Sequence, residues 1–212
     1  MLSNWDQAGV VLTPGEVYTI TVGAGSQVVC PVTPQSGRYV ATSCYRGGKG
    51  GDSSFVGAGV NVNAEGGGGG GSYMHSWDDQ DNDWYGQTGG WGGSGGGGAI
   101  DEDGAQGGQG TSGQGHDGGC CGGNGGGAGG SNGAGRVNSI TGPTVTYAAG
   151  GNSAMYGGSG FLPAPSGGAG GSGGVVLRFA TASYSGACSG CTVSTAGLDT
   201  VLTFTSSGSY QA

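Results

Sequence analysis

Gly86-Gln87-Thr88-Gly89-Gly90-Trp91-Gly92-Gly93-Ser94-Gly95-Gly96-Gly97-Gly98 places a glycine at every third position: 86, 89, 92, 95 and 98. The register resumes at Gly104, Gly107, Gly110 and Gly113, skips at His116, and continues at Gly119, Gly122 and Gly125. A second register holds Gly127, Gly130 and Gly133, and near the C-terminus Gly167, Gly170 and Gly173 run beside Gly168, Gly171 and Gly174. A period of three belongs to the left-handed extended helix with ~3.1 Å rise per residue, whose backbone makes no internal hydrogen bonds. A glycine stripe removes the side chains from one edge, so neighbouring helices can approach and exchange backbone hydrogen bonds. Such a bundle satisfies its buried backbone with almost no apolar core. The competing reading is a flexible Gly/Ser linker. The period survives its non-glycine interruptions, and β segments flank the tracts, so a bundle of polyglycine-II helices is expected.

Composition narrows the alternatives. Glycine is 59 of 212 residues, about 28 % against the usual ~7 %. Leu, Ile, Val and Phe make up about 14 %, below the ~20 % that ordinarily supports a packed core. Each interior glycine costs an α-helix on the order of 1 kcal/mol relative to Ala, so negligible helix is expected. Collagen is excluded by six prolines and by the lack of a Gly-X-Y register along the whole chain. Charged residues are only 8 %, with 13 acids against 5 bases and a net charge of −8. The four Trp, nine Tyr and four Phe do not fit a generic disordered tail, which has few aromatics and high charge. Arg38, Arg46, Lys49, Arg136 and Arg178 are scattered, so no phosphate-neutralising patch for nucleic acid exists. No apolar run reaches the ~18 residues of a membrane span. Met1-Leu2-Ser3-Asn4-Trp5-Asp6 has neither the basic nor the apolar region of a signal peptide.

Outward from the glycine tracts, both ends read as β. Val10-Val11-Leu12, Glu16-Val17-Tyr18-Thr19-Ile20-Thr21-Val22 and Gln27-Val28-Val29-Cys30 are strand-like, and Thr13-Pro14-Gly15 is a turn between the first two. Val175-Val176-Leu177-Arg178-Phe179 and Thr200-Val201-Leu202-Thr203-Phe204-Thr205 repeat the theme. Between Gly66 and Gly135 the only Val, Leu, Ile or Phe is Ile100. Three parts follow: a β-rich part at 1–65, a glycine-rich bundle with loops at 66–174, and a C-terminal β segment at 175–212. The ends are expected to pair in one sheet, making one compact domain of β and irregular structure.

The opening Leu12-Thr13-Pro14-Gly15-Glu16-Val17-Tyr18-Thr19-Ile20-Thr21-Val22-Gly23-Ala24-Gly25 is followed by Gly47-Gly48-Lys49-Gly50-Gly51-Asp52-Ser53-Ser54-Phe55. The close is Gly170-Gly171-Ser172-Gly173-Gly174-Val175-Val176-Leu177-Arg178-Phe179. Together they resemble the glycine-rich domains of bacteriophage tail-fibre and virion structural proteins. The centre resembles the polyglycine-II sandwich of tail-fibre tip adhesins. The resemblance implies a protein of the virion surface, extracellular to the host, whose loops between glycine helices contact a host surface polysaccharide. Its implied partners are other virion or fibre subunits, as a homotrimer or as a cap on a trimeric fibre. The chain differs from that pattern in its six cysteines and in the β segment after the last glycine tract. A subunit decorating a capsid, tail or extracellular fibril, with no receptor, is the alternative.

The chemistry sits mainly in Ser72-Tyr73-Met74-His75-Ser76-Trp77-Asp78-Asp79-Gln80-Asp81-Asn82-Asp83-Trp84-Tyr85, with Trp91 close by. Aromatic faces beside carboxylate acceptors suit carbohydrate: rings cover the apolar C–H face of a sugar while Asp oxygens accept from hydroxyls. Tyr and Trp also give large contact area at low entropy cost. Candidate receptor contacts are Tyr73, Trp77, Asp79, Asp81, Asp83, Trp84, Tyr85 and Trp91; the competing role is an apolar lid on the end of the bundle. Asp79, Asp81 and Asp83 have the alternation of a calcium loop. Trp84 stands where the EF-hand needs glycine, however, and no Glu closes the loop, so calcium is secondary to a solvated acidic loop. No other cofactor is expected. Six cysteines allow 15 connectivities; on an extracellular particle, local Cys30–Cys44 and Cys188–Cys191 bridges are the plain reading. His75 and His116 do not complete a zinc site. The two G-x-S-x-G matches, at 92–96 and 170–174, lack the strand–turn–helix context of a nucleophile. No catalytic constellation is legible, and an enzyme is not expected.

Overall fold

The computed structural model describes residues 9–26, 47–71, 73–75, 84–86, 88–99, 105–122, 125–127, 129–130, 133–148 and 172–212. Twelve strands are present among them: β1 (Val17–Thr21), β2 (Ser53–Gly57), β3 (Val60–Ala64), β4 (Tyr73–His75), β5 (Trp84–Gly86), β6 (Arg136–Asn138), β7 (Val145–Tyr147), β8 (Val175–Ala180), β9 (Cys188–Ser189), β10 (Thr192–Ala196), β11 (Asp199–Phe204) and β12 (Gly208–Gln211). The only helical piece among the described residues is a 3₁₀ turn at Thr181–Ser183.

The two ends of the chain do share a sheet. Its order is β3-β2-β1-β12-β9, and a second sheet runs β10-β11-β8. All named pairings are antiparallel, with Tyr18 opposite Tyr210 and Ile20 opposite both Gly208 and Phe55. The period of two explains which side chains go inside. Tyr18 and Ile20 are buried while Val17, Thr19 and Thr21 stay exposed. Tyr18, Ile20, Phe55 and Tyr210 from the first sheet meet Leu202 and Phe204 from the second in one cluster, with Val175, Leu177 and Phe179 packed against it. Tyr18 stacks on Phe55 at 5.1 Å between ring centroids, and Phe179 on Tyr210 at 5.4 Å. The protein's aliphatic poverty is therefore met by concentrating what it has in one small sandwich.

Turn chemistry fixes the corners. Thr13-Pro14-Gly15-Glu16 closes with Glu16 N–H on the Thr13 carbonyl at 3.3 Å, and Gly15 has φ +83, the geometry of a Pro-Gly type II turn. Val10-Val11-Leu12, in contrast, forms no strand. Val11 is 88 % exposed, and only Leu12 packs against the cluster. The Tyr18 hydroxyl accepts the Thr13 N–H at 2.8 Å, tying the run to β1 by a side chain instead of a ladder. Cys188 and Cys191 are joined as a disulfide, as expected. Cys30 and Cys44 lie outside the described residues.

The glycine tracts grow directly out of the first sheet. Beyond β1, β2 and β3 the pairing continues through Gly51 N–H to the Ala24 carbonyl (2.8 Å), Gly50 to Gly67 (2.9 Å) and Gly47 to Gly70 (2.9 Å). In residues 88–99 burial repeats every third residue: Thr88 and Trp91 are exposed, while Gly89, Gly90, Gly92, Gly93, Gly95, Gly96, Gly98 and Ala99 are buried. Hydrogen bonding has the same repeat. The register read from sequence donates to one set of neighbours: Gly89 to Gln106 (2.9 Å), Gly92 to Gln109 (3.2 Å), Gly95 to His116 (3.0 Å) and Gly98 to Gly119 (2.9 Å). The next register donates elsewhere, Gly90 to Gly69 (2.7 Å), Gly93 to Gly66 (2.8 Å) and Gly96 to Gly90 (2.8 Å). The third position of the repeat is left to carry the side chains outward.

Glycine is required here by distance, not by turn geometry. A Cβ on Gly69 would stand 1.7 Å from the Gly47 carbonyl oxygen, on Gly95 1.8 Å from that of Gly108, and on Gly107 1.9 Å from that of Gly118. Buried amides bonded in this way are shielded from water. The amides of Gly90, Gly96, Gly108 and Gly118 should exchange slowly with deuterium in the native protein; uniformly fast exchange across 86–135 would mean a solvated linker.

Candidate binding face

Segment direction decides what lies at each end of the glycine layer. Gly68 donates to Ser94 (2.7 Å) and Gly71 to Gly97 (2.8 Å), so 66–71 and 94–99 run the same way. The Gly95–His116 and Gly98–Gly119 bonds put 115–119 in that direction too. Segment 88–93 runs oppositely, because Gly90 pairs with Gly69 and Gly93 with Gly66. Residues 105–108 oppose 118–121, through Gly118 N–H to Gly108 and Cys121 N–H to Ala105, both 2.9 Å. Gly71, Ala99, Ala105 and Cys121 therefore share one end. The chain leaves and re-enters the layer there for the connections 72–87 and 100–104, and Gly47, level with Gly70, enters there as well.

The other end is cross-linked to the sandwich by polar side chains. The Glu65 N–H, just past β3, donates to Gln114 Oε1 at 2.7 Å, and Glu65 Oε2 accepts from Lys49 Nζ and Thr111 Oγ1, each at 3.2 Å. Lys49 also sits 3.4 Å from Asp52, whose carboxylate accepts the Gly66 N–H at 3.0 Å. That N–H, seconded by the Lys49 charge, holds the Asp52 carboxyl below its ordinary range. On the second sheet Arg178 donates to Asp199 at 2.8 Å and to the Ser139 and Ile140 carbonyls, fastening the β6–β7 turn over the outer face of β8. Sequence reading missed both clusters. Their one visible signal is that Thr111 and Gln114 interrupt a glycine tract at a turn.

Of the sequence candidates, Tyr73, Trp84 and Tyr85 stand at the first end, and Trp91 does not. Strands β4 and β5 form a hairpin, Tyr73 opposite Gly86, Met74 opposite Tyr85 and His75 opposite Trp84, so Tyr73, Trp84 and Tyr85 stand on its two arms. Trp77, Asp79, Asp81 and Asp83, the calcium candidates among them, lie outside the described residues in the connection that this hairpin carries. The connection 100–104, with Asp101, Glu102 and Asp103, departs from the same end. Trp91 is the exception. It is 71 % exposed at an outward position on the flank, five residues from β5, about 15 Å along an extended chain. Among the described residues no group of three or more His, Cys, Asp or Glu is placed to hold a metal ion, and no helix is long and apolar enough to cross a membrane.

A family model described as a glycine-rich domain matches residues 3–180. No curated protein and no solved structure matches the chain.

Proposed function

Because this chain belongs to the glycine-rich domain family, we propose that it works as a scaffold of tail-fibre type on a virion surface, binding host cell-surface glycan through the connections at one end of its glycine segments. One observation carries the reading. The aromatic, acidic connection at 72–87 and the acidic connection at 100–104 leave the glycine layer at the same end, away from the Glu65–Thr111–Gln114 cross-links. A layer held by backbone hydrogen bonds has no need of side chains at that end, which frees the residues there for recognition. The three-residue repeat of burial and bonding in 88–99 supports the finer reading of these segments as polyglycine-II helices, three residues per turn. Rings would cover the apolar faces of sugars and Asp79, Asp81 and Asp83 would accept from their hydroxyls. Other fibre or virion subunits are the proposed structural partners.

The test is a Trp77→Ala, Trp84→Ala double variant. Each ring, as a contact hot spot, is worth 1 kcal/mol or more, so adsorption to host cells should fall roughly 30-fold or further with unfolding unchanged. Normal adsorption by the variant, or no polysaccharide bound by the parent protein, rejects the glycan reading. A variant that no longer assembles with its particle makes the connection a structural lid and the chain a decoration subunit.

A further inference from the structure

Neighbouring side chains on an extended chain point to opposite sides. Cys120 and Cys121 do not. They sit in the turn that closes the loop-bearing end of segment 115–119. Cys121 adopts φ +57 and Gly122 φ +81, a left-handed conformation uncommon for a residue with a side chain. The curl brings the two Sγ atoms to 2.6 Å, well inside the separation of independent thiols and close to the ~2.05 Å of a bond. Both residues are exposed. The backbone beneath them is already fastened: Cys121 N–H donates to Ala105 at 2.9 Å, and Gly122 N–H to the Gly98 and Ala99 carbonyls at 3.1 Å each. No third ligand for a metal lies near them among the described residues.

We propose that Cys120 and Cys121 close into a vicinal disulfide by exchange with a low-molecular-weight disulfide such as oxidised glutathione, and that the ring locks this turn. Exchange needs a thiolate attacker and a second thiol to resolve the mixed disulfide. The Cys121 thiol donates to the Cys120 sulfur, which holds the Cys121 proton on above its ordinary range. In the proposed exchange Cys120 attacks as its thiolate. Its thiolate breaks the S–S bond of oxidised glutathione, bonds to one sulfur and expels the other as glutathione thiolate. Cys121 then gives up its proton, and its thiolate displaces the second glutathione from Cys120. The two thiols are oxidised to one disulfide, and one disulfide is reduced to two glutathione thiols. The ring joins Cys120 to Cys121 irrespective of any glycan bound beside it.

The sequence supplies a clean readout. Trypsin cuts after Lys49 and Arg136 and nowhere between, and the peptide from Gly50 to Arg136 holds no other cysteine. The full native chain is treated with oxidised glutathione, alkylated, and digested without reduction. The peptide should be two hydrogens lighter than its dithiol form and unalkylated, and should accept two alkyl groups after reduction. The proposal is overturned if both thiols remain alkylatable, if both carry glutathione, or if the peptide is cross-linked to one bearing Cys30, Cys44, Cys188 or Cys191 or to a second copy of itself.

Discussion

A Gly96→Ala variant is expected to lose a large part of the stability of the protein. Its Cβ would stand 1.9 Å from the Gly69 carbonyl oxygen, 2.5 Å from the carbon behind it and 3.0 Å from the Gly70 nitrogen. None of these is a side chain that can turn away. The methyl must push segment 66–71 outward, yet that segment is held by Gly68 to Ser94, Gly71 to Gly97 and Gly90 to Gly69. Overpacking alone costs about 1–3 kcal/mol. Each buried amide or carbonyl left unpaired adds about 1–3 kcal/mol, so about 3–5 kcal/mol is expected, out of a total of about 5–15 kcal/mol for an ordinary domain. Gly67→Ala is the control within the neighbouring tract. A Cβ there meets nothing closer than the Ser94 oxygen at 3.9 Å, and Gly67 is exposed. It should be neutral or raise stability by about 0.4–1 kcal/mol through the unfolded chain. Denaturant unfolding of the two variants separates the cases; equal, small effects would mean that the glycines are composition and not packing.

That contrast also shows what a sequence of this kind discloses. The register through Gly89, Gly92, Gly95 and Gly98 is legible because a close approach on one edge leaves a fixed spacing in the chain. What each register faces is not legible. Gly92 and Gly93 are both bare, yet one donates to Gln109 and the other to Gly66, and no property of glycine distinguishes them. Direction is equally silent, since parallel and antiparallel neighbours need the same missing side chain. In the β ends, Glu16–Val22 read as strand-like, and the structure decides the face, burying Tyr18 and Ile20. The same apolar reading failed at Val10–Leu12, which forms no strand. Arg178 reads as one scattered base and is in fact the clasp on the β6–β7 turn, because its partners on that turn are carbonyls, which every residue has. Which end of the layer residues 71 and 88 stand at follows only from hydrogen bonds such as Gly90 to Gly69 and Gly71 to Gly97, which no residue type announces.

Phe204→Ala should be about as damaging, and its damage should spread beyond the sandwich. Phe204 is wholly buried on β11 in the cluster with Tyr18, Ile20, Phe55 and Tyr210, and truncating such a ring costs about 3–5 kcal/mol. The glycine layer has no aliphatic core of its own to fall back on. Its hydrogen bonds replace bonds to water and are worth only about 0.5–1.5 kcal/mol each, against about 1–2 kcal/mol of backbone entropy per ordered residue. Glycine sits at the expensive end of that range. The layer is therefore held in place by the strands it continues, through the Ala24–Gly51, Gly50–Gly67 and Gly47–Gly70 bonds that extend β1, β2 and β3. Hydrogen exchange on Phe204→Ala should show protection falling at Gly90, Gly96, Gly108 and Gly118 in step with Ile20 and Leu202, in a single transition. Protection retained at those glycines while the sandwich amides open would mean that the layer folds by itself. In that case the six-residue cluster around Phe204 would serve only to attach a self-sufficient bundle, instead of supplying the burial on which the ordered glycine segments depend.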